Sequence, residues 1–483
     1  MDHSRAPVLD ALRAFRELDY VPFTPPGHRQ GRGVDPRVLD VLGRAVFQAD
    51  VLALNGLDDR TMSQGVVQQA QELMADAVGA EHTFFSTCGS SLSVKSAMLA
   101  VAGPQEKLLV ARHAHKSVVS GLIASGVAPV WVSPRWDGER HLSHPPGPDE
   151  VRAAFEAEPD AKGMLLVTPT DYGTCADIAA IAEVCREFDR PLIVDEAWGA
   201  HLPFHPDLPQ WAMDAGADLC VTSVHKAGAA VEQSSVFHLQ GDRVDPAALK
   251  AREDLLGTTS PTSLVYATLD GWRRQMVEHG HALLDAALAL ARRERAAIGR
   301  LPGLRVMEEE FLAIVPAIDP LKIVVDVSGL GISGYQAADW LRGRRRVIVG
   351  LADHRRIVAQ VTHADDEASA AVLREALRAL TEAAADMPTP APVRLPSPDE
   401  LMVETAMLPR DAFFGETEQV GVSDAVGRVA AEMITPYPPG APALAPGEVV
   451  TEQVLEYLRG GLAAGMHIPD SADPELKSIR VVA

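Results

Sequence analysis

Near-continuous apolar runs alternate with amphipathic segments between residues 107 and 226. KLLVAR (107–112), APVWVSP (128–134), MLLVTPT (164–170), PLIVDEA (191–197) and DLCVTSVHK (218–226) read as strands. HKSVVSGLIASG, GPDEVRAAFEAEP and DIAAIAEVCREF (177–188) read as the helices between them, and WAMDAG as a further short one. Strands that are apolar throughout belong in a parallel sheet covered on both faces. The pattern therefore predicts an α/β fold with a mostly parallel central sheet. Polar and ionisable residues recur just past the strand bodies, at the carboxyl edge where open α/β sheets collect ligands.

The flanking pattern divides the rest of the chain. DPRVLDVLGRAVFQAD and VVQQAQELMADAVGA read as helices on either side of a turn-rich stretch, Leu54 to Gly65. TFFST (83–87) is a short strand that ends at CGSS, before a helix in SLSVKSAMLAVAG. GWRRQMVEHGHALLDAALALARRERAAI is one long helix, and KIVVDVSG and VIVGLA are strands of a small α/β unit. MPTPAPVRLPSPDE (387–400) is a proline-rich connection. The expected organisation is an arm at 1–35, a large domain at 36–270, a linker helix with a small α/β domain at 271–390, and a C-terminal domain at 391–483.

Charge and composition narrow the function classes. The 483 residues carry 44 Lys or Arg against 66 Asp or Glu, 44 − 66 = −22, with 47% hydrophobic residues. That excludes a wholly disordered chain and argues against general nucleic-acid binding, which needs a basic surface. It is compatible with a cationic small molecule. The basic run RGRRR (342–346), with Arg355 and Arg356, reads as a solvated edge or a subunit contact. Cys88, Cys175, Cys185 and Cys220 form no CxxC pair, so reduced thiols of a cytoplasmic protein are expected. No secretory leader pattern and no apolar run of membrane-spanning length is present in the sequence. No membrane association is expected.

The chemistry concentrates between Asp195 and Lys226. A buried lysine at a strand end can form a Schiff base when its amine is easily deprotonated. An aspartate on a neighbouring strand end can keep a pyridinium nitrogen protonated. These are the two protein groups that pyridoxal phosphate most needs. Gly89, Ser90 and Ser91, at the start of a helix, would suit its phosphate, with Ser223 and His225 adding contacts from the lysine side. Lys116 also follows a histidine, but spacing favours Lys226, whose strand follows that of Asp195 by one crossover. His201 and His205 have helical ligand spacing, yet Pro203 and Pro206 interrupt that helix, and no metal site is expected.

The ordered set of motifs resembles the bacterial ornithine/lysine/arginine decarboxylases, enzymes of the fold type I, aspartate-aminotransferase-like class. The likeness runs through TPPGHRQG (24–31), LNGLDD (54–59), FFSTCGSS (84–91), RHAHKS (112–117) and TPTDYGTCAD (168–177). It continues through IVDEAWGAH (193–201), TSVHK (222–226), TTSPTS (258–263) and YPPGAPALAPGE (437–448). The resemblance implies that Lys226 carries pyridoxal 5'-phosphate and Asp195 pairs with its ring nitrogen. It further implies that Ala197 packs on one ring face, His115 stacks on the other, and Ser90, Ser91, Ser223 and His225 hold the phosphate. Thr259 or Ser260 would complete the phosphate cup of a partner subunit, so a homodimer or higher oligomer with shared active sites is implied.

The implied reaction is decarboxylation of a basic L-amino acid, with arginine to agmatine and CO2 first and lysine or ornithine next. The motifs begin near residue 24, without a receiver-like domain before them, as in the shorter biosynthetic arginine-decarboxylase branch. An aminotransferase, with Arg428 as a conceivable carboxylate ligand, and an inactive structural homologue are the competing readings. Two positions depart from the family pattern. Arg29 stands where lysine is usual, and Trp198 replaces a smaller residue and either narrows the pocket or packs into the core. His28 and Arg29 read equally as a site-edge segment or a capped loop, Asp58 and Asp59 as weak electrostatic candidates for a cation. Glu404 and Glu448 lie in C-terminal segments that match the family, and Glu448 reads either as facing the entrance or as a helix cap.

Overall fold

The computed structural model describes all residues except 53–56, 58–64, 395, 398, 399, 401, 438 and 439. Asp58 and Asp59 fall outside the described residues. Seven strands form a mixed sheet: β1 (His82–Ser86), β2 (Lys107–Ala111), β3 (Ala128–Val132), β4 (Met164–Val167), β5 (Leu192–Asp195), β6 (Leu219–Ser223) and β7 (Ser235–Leu239). Their order is β1-β7-β6-β5-β4-β2-β3. β2 runs parallel to β3 and β4, whereas β7 runs antiparallel to both β1 and β6.

Chain contacts define two compact units. The first comprises Met1–Ala100, Asp195–Pro206 and Gln210–Ala282. It contains β1, β7 and β6, whose antiparallel register sets Phe84 opposite Phe237 and Ser223 opposite Ser235. Helix α1 (Gly89–Val101) starts at Gly89, whose φ of +76° suits glycine and whose N–H donates to Gln233 O. The N-terminal segment is tied to this unit by Arg273, which is fully buried. Arg273 donates to the carbonyls of His3 and Arg5 and pairs with Asp270, while Asp270 also accepts from Val8 N–H.

The second unit comprises Val101–Val194, Asp207–Pro209 and Leu283–Ala483. Here β2, β3 and β4 are followed or covered by helices α2 (Lys116–Ser125), α3 (Pro148–Ala157) and α4 (Ile178–Glu187). The α4 start is capped by Asp177, which accepts from Ala180 N–H. A second, four-stranded sheet has β8 (Arg305–Val306), β9 (Lys322–Asp326), β10 (Leu351–Ala352) and β11 (Arg356–Gln360), in the order β8-β9-β11-β10. Toward the C-terminus, β12 (Thr417–Gly421) pairs with β13 (Ser478–Val482) around a core that includes Leu444, Leu455 and Ile479.

Three local expectations need correction, and two strands were not expected. WAMDAG forms turns, not a helix, with Trp211 buried and its indole N–H on Val78 O. The strand at 218–226 stops at Ser223, and Lys226 lies in a short helical turn, Val224–Ala227, closed by the Gly228 N–H on Val224 O. Only Leu351–Ala352 of VIVGLA is strand; Ile348 is exposed. The partner of β9 is instead RIVAQ, Arg356–Gln360. Finally, SVFHL forms β7, an antiparallel strand that the alternation of apolar runs and helices did not announce. Among the described residues no helix is long and apolar enough to cross a membrane.

His238 on β7 bridges its neighbours, with Nδ1 3.3 Å from Thr83 Oγ1 and Nε2 3.2 Å from Thr222 Oγ1. Burial pushes its pKa down to about 3. The folded chain therefore binds fewer protons there than the unfolded chain between pH 6.5 and about 3. Stability should fall with falling pH across that window, by about 1.4 kcal/mol per pH unit from this group. Unfolding midpoints of wild type and His238→Gln measured from pH 7 to pH 4 check it: the variant should show the shallower acid limb.

Candidate active site

In the first unit, the end of β5, the end of β6 and the start of α1 bring together most of the residues singled out from the sequence. Asp195 is the last residue of β5 and is buried. Its Oδ1 accepts from Ala197 N–H at 3.2 Å. The turn after it is stitched to β6 on both sides, as Glu196 N–H donates to Val221 O and Ser223 N–H to Ala197 O. This fixes the heights of Ala197 and Ser223 relative to each other. Ser223 Oγ in turn donates to Ser90 Oγ at 2.6 Å, which joins the lysine-bearing strand to the first turn of α1. Ser91 follows on that same turn. Two hydroxyls and a helix N-terminus in one place form a suitable anion cradle.

Lys226 follows in the helical turn after β6, with Nζ 4.3 Å from the centre of the Trp198 ring. The Trp198 ring therefore presents its face to the lysine amine. An indole face holds an ammonium there by its quadrupole. Preceding Lys226, His225 has Nδ1 3.1 Å from Ser234 O, so Nδ1 carries a proton and Nε2 is the acceptor of the neutral ring. Burial lowers the His225 pKa, the Ser234 carbonyl opposes that, and the Lys226 charge adds to the lowering. Glu196, next to Asp195, is fully buried and burial pushes its carboxyl well above the usual range. It lies 3.4 Å from Cys220 Sγ and reads as a neutral brace between the turn and β6.

Thr259 and Ser260 are exposed on the turn before the long helix Ser263–Ile298. His28 and Arg29 also lie in this unit. His28 Nε2 is 3.2 Å from Asp50 Oδ2, and Arg29 donates to Thr24 O. His205 rests against His281, ring centres 4.6 Å apart, after a 3-10 turn at Leu202–Phe204.

In the second unit, His115 caps α2. Its Nδ1 accepts from Ser117 N–H at 3.2 Å and lies 2.9 Å from Ser117 Oγ. The neutral ring therefore carries its proton on Nε2. Gly440, with φ of +91°, lies directly against that ring: a Cβ there would be 3.2 Å from His115 Cδ2. Its carbonyl accepts from Lys116 N–H. Lys116 itself is turned outward onto Asp470, 3.0 Å away, which removes it as a rival to Lys226.

Arg112, to which no sequence motif assigns a role of its own, organises this region. Its guanidinium donates to Pro442 O and Ala443 O and pairs with buried Glu448 at 3.2 Å. Glu448 is thus a brace within the APALAPGE segment, and Ala445 N–H also donates to it. The signal for Arg112 was present, since an arginine at the end of a fully apolar strand requires a partner. Arg428 pairs with Glu418 and Val482 O. Arg356 is fully buried and pairs with Asp353, so it is no part of a basic surface.

The donor set of the first unit fits pyridoxal phosphate: an amine for its aldehyde, a buried carboxylate for its ring nitrogen, and hydroxyls at a helix start for its phosphate. The chain matches the family model for the Orn/Lys/Arg decarboxylase major domain over residues 6–317 and that for the C-terminal domain over 398–472. It is 37% identical to the arginine decarboxylase of Halalkalibacterium halodurans over 99% of this chain and 98% of that protein. It is 36% identical to the arginine decarboxylase of Bacillus subtilis, over 100% and 99% respectively. Among solved structures, the Escherichia coli constitutive lysine decarboxylase superposes with a TM-score of 0.80, at 21% identity, over 100% of this chain and 82% of that one. The fold and the family agree with use of pyridoxal phosphate and with decarboxylation of a basic amino acid, and the chain belongs to the Orn/Lys/Arg decarboxylase family.

Proposed function

We propose that the chain is a pyridoxal-phosphate-dependent arginine decarboxylase that releases agmatine and CO2. The observation that carries the reading is the joining of Asp195, Ser223 and Ser90 through Ala197 into one connected set at the ends of β5 and β6, with Lys226 three residues past Ser223 in the turn that follows β6. Similarity over nearly the full length to two arginine decarboxylases supports arginine as the substrate.

When bound, the cofactor supplies an electron sink for the bond to the departing carboxylate. Lys226 Nζ would hold the cofactor covalently and yield it to the substrate amine, then act as the proton donor to the α-carbon. Trp198 would cover that amine on one side and limit its access to water. Asp195, held by Ala197 N–H, would keep a proton on the ring nitrogen. Ser90, Ser91, Ser223 and His225 would orient the phosphate, and by the family resemblance His115 would cover the opposite ring face. The exposed Thr259 and Ser260 fit a role at a partner's phosphate, which makes a homodimer the working unit.

Purified, cofactor-loaded protein offered arginine, lysine and ornithine separately should form agmatine fastest, with identity set by mass of the amine. Cadaverine or putrescine as the main product would overturn arginine as substrate. Keto-acid formation without CO2 would overturn decarboxylation in favour of transamination.

A further inference from the structure

The second unit contains a cavity of about 180 Å³ whose walls are aromatic and rich in hydrogen-bond acceptors. Such a volume admits a small ligand and not only a water or two. Trp136, His141 and His354 line it as a stack, with ring centres 6.4 Å and 5.8 Å apart and planes within 18° of parallel. Tyr172, Tyr335 and Tyr457 add further aromatic wall.

The polar groups at this cavity are unusual in sign. His113 has Nε2 3.1 Å from Val167 O, so Nε2 carries its proton and the buried Nδ1 keeps a lone pair without a protein partner. The buried Nε2 of His354 is likewise without one. His354 Nδ1 faces Asp353 Oδ1 at 3.8 Å, which favours the proton on Nδ1 and leaves Nε2 as an acceptor. Burial holds His354 near a pKa of about 4 and lowers that of His113, so both rings remain neutral acceptors at pH 7. The arginine among the lining residues, Arg112, is engaged with Glu448, and Arg356, the partner of the lining Asp353, is engaged as well. Asp353 is saturated by Tyr172 Oη, Arg356 Nη1 and the N–H groups of Arg355 and Arg356. Asp171 adds a carboxylate to the lining.

A site with flat aromatic walls, imidazole acceptors and no uncommitted cation calls for a flat ligand that donates several hydrogen bonds. We infer that this cavity binds a small guanidinium ion. Guanidinium stacks on aromatic faces and presents N–H donors around its edge. The inference adds a ligand class and a route of control to the proposed function, and it rests on that function only for the biological source of the guanidine. The route is the segment 440–443: Ala441, Pro442 and Ala443 line the cavity, and the adjoining Gly440 lies on the His115 ring. Occupancy of the cavity therefore bears on the residue expected at the cofactor face.

Butylguanidine, which has no α-amino acid to react, tests the inference on the cofactor-loaded protein by titration calorimetry. Saturable one-to-one binding is expected, at least tenfold tighter than that of butylurea, its neutral planar counterpart, or butylamine, which is charged but not planar. His354→Leu and Tyr335→Phe should each leave the circular-dichroism spectrum unchanged, and His354→Leu should weaken binding at least tenfold. No binding, equal binding of butylurea, or indifference to a folded His354→Leu overturns the inference. Amine products are assayed on the same preparation. Agmatine formation with no butylguanidine site leaves the proposed function standing alone. Cadaverine formation with a normal butylguanidine site overturns the proposed substrate and leaves the cavity assignment intact.

Discussion

Alanine at position 226 should leave a folded chain whose decarboxylation rate is lower by at least about 10³-fold, since both covalent attachment and proton transfer would be lost with Nζ. The visible absorbance of the bound cofactor should lose its lysine-linked band, and borohydride should no longer fix cofactor to the protein. The fold has little reason to respond. Lys226 makes its described contact with the Trp198 face, and the turn that carries it is held by backbone bonds from Val224 and Gly228. Lys116→Ala is the companion measurement, because its outward pairing with Asp470 predicts nearly unchanged turnover. A Lys226→Ala protein that keeps full activity would remove the assignment of the cofactor lysine.

The largest stability effect is expected at Glu448. Its carboxylate is 1% exposed, and burial raises its pKa while the Arg112 charge and the Ala445 N–H pull it down. Glu448→Ala would leave the Arg112 guanidinium buried beside Trp131 without its carboxylate. Breaking a buried pair from one side costs about 3–5 kcal/mol. The loss should appear as an earlier urea transition of the second unit. Replacing both partners with apolar residues, Arg112→Met with Glu448→Leu, should cost less than Glu448→Ala alone, because no charge is then stranded. A Glu448→Ala protein as stable as wild type would show that water reaches the guanidinium.

How much of this was legible in the sequence depended on whether the cause was local. The apolar runs at β2, β4 and β5 are buried on both faces, so their composition alone announces them. β11 begins with Arg356, which reads as a surface residue until Asp353 is seen to neutralise it in the interior. β7 was hidden because SVFHL is short and contains a histidine, whose burial depends on threonines from two other strands. At the candidate site, Lys226 and Asp195 were legible because their residue types carry the chemistry. The stitching of Asp195 to Ser223 and Ser90 through Ala197 was not, since it consists of bonds to backbone groups and a hydroxyl pair between distant segments. The Arg112–Glu448 pair, separated by 336 positions, lies further still beyond any local pattern.

The glycine laid on the His115 ring has an evolutionary consequence. Position 440 must reach φ of +91°, and a Cβ there would press on the imidazole at 3.2 Å, two demands that together favour glycine. The C-terminal region is therefore not an interchangeable appendage that recombination could swap for another of similar size. Whatever replaces it must again present bare backbone to that imidazole, so the two segments are constrained to be inherited as a matched pair.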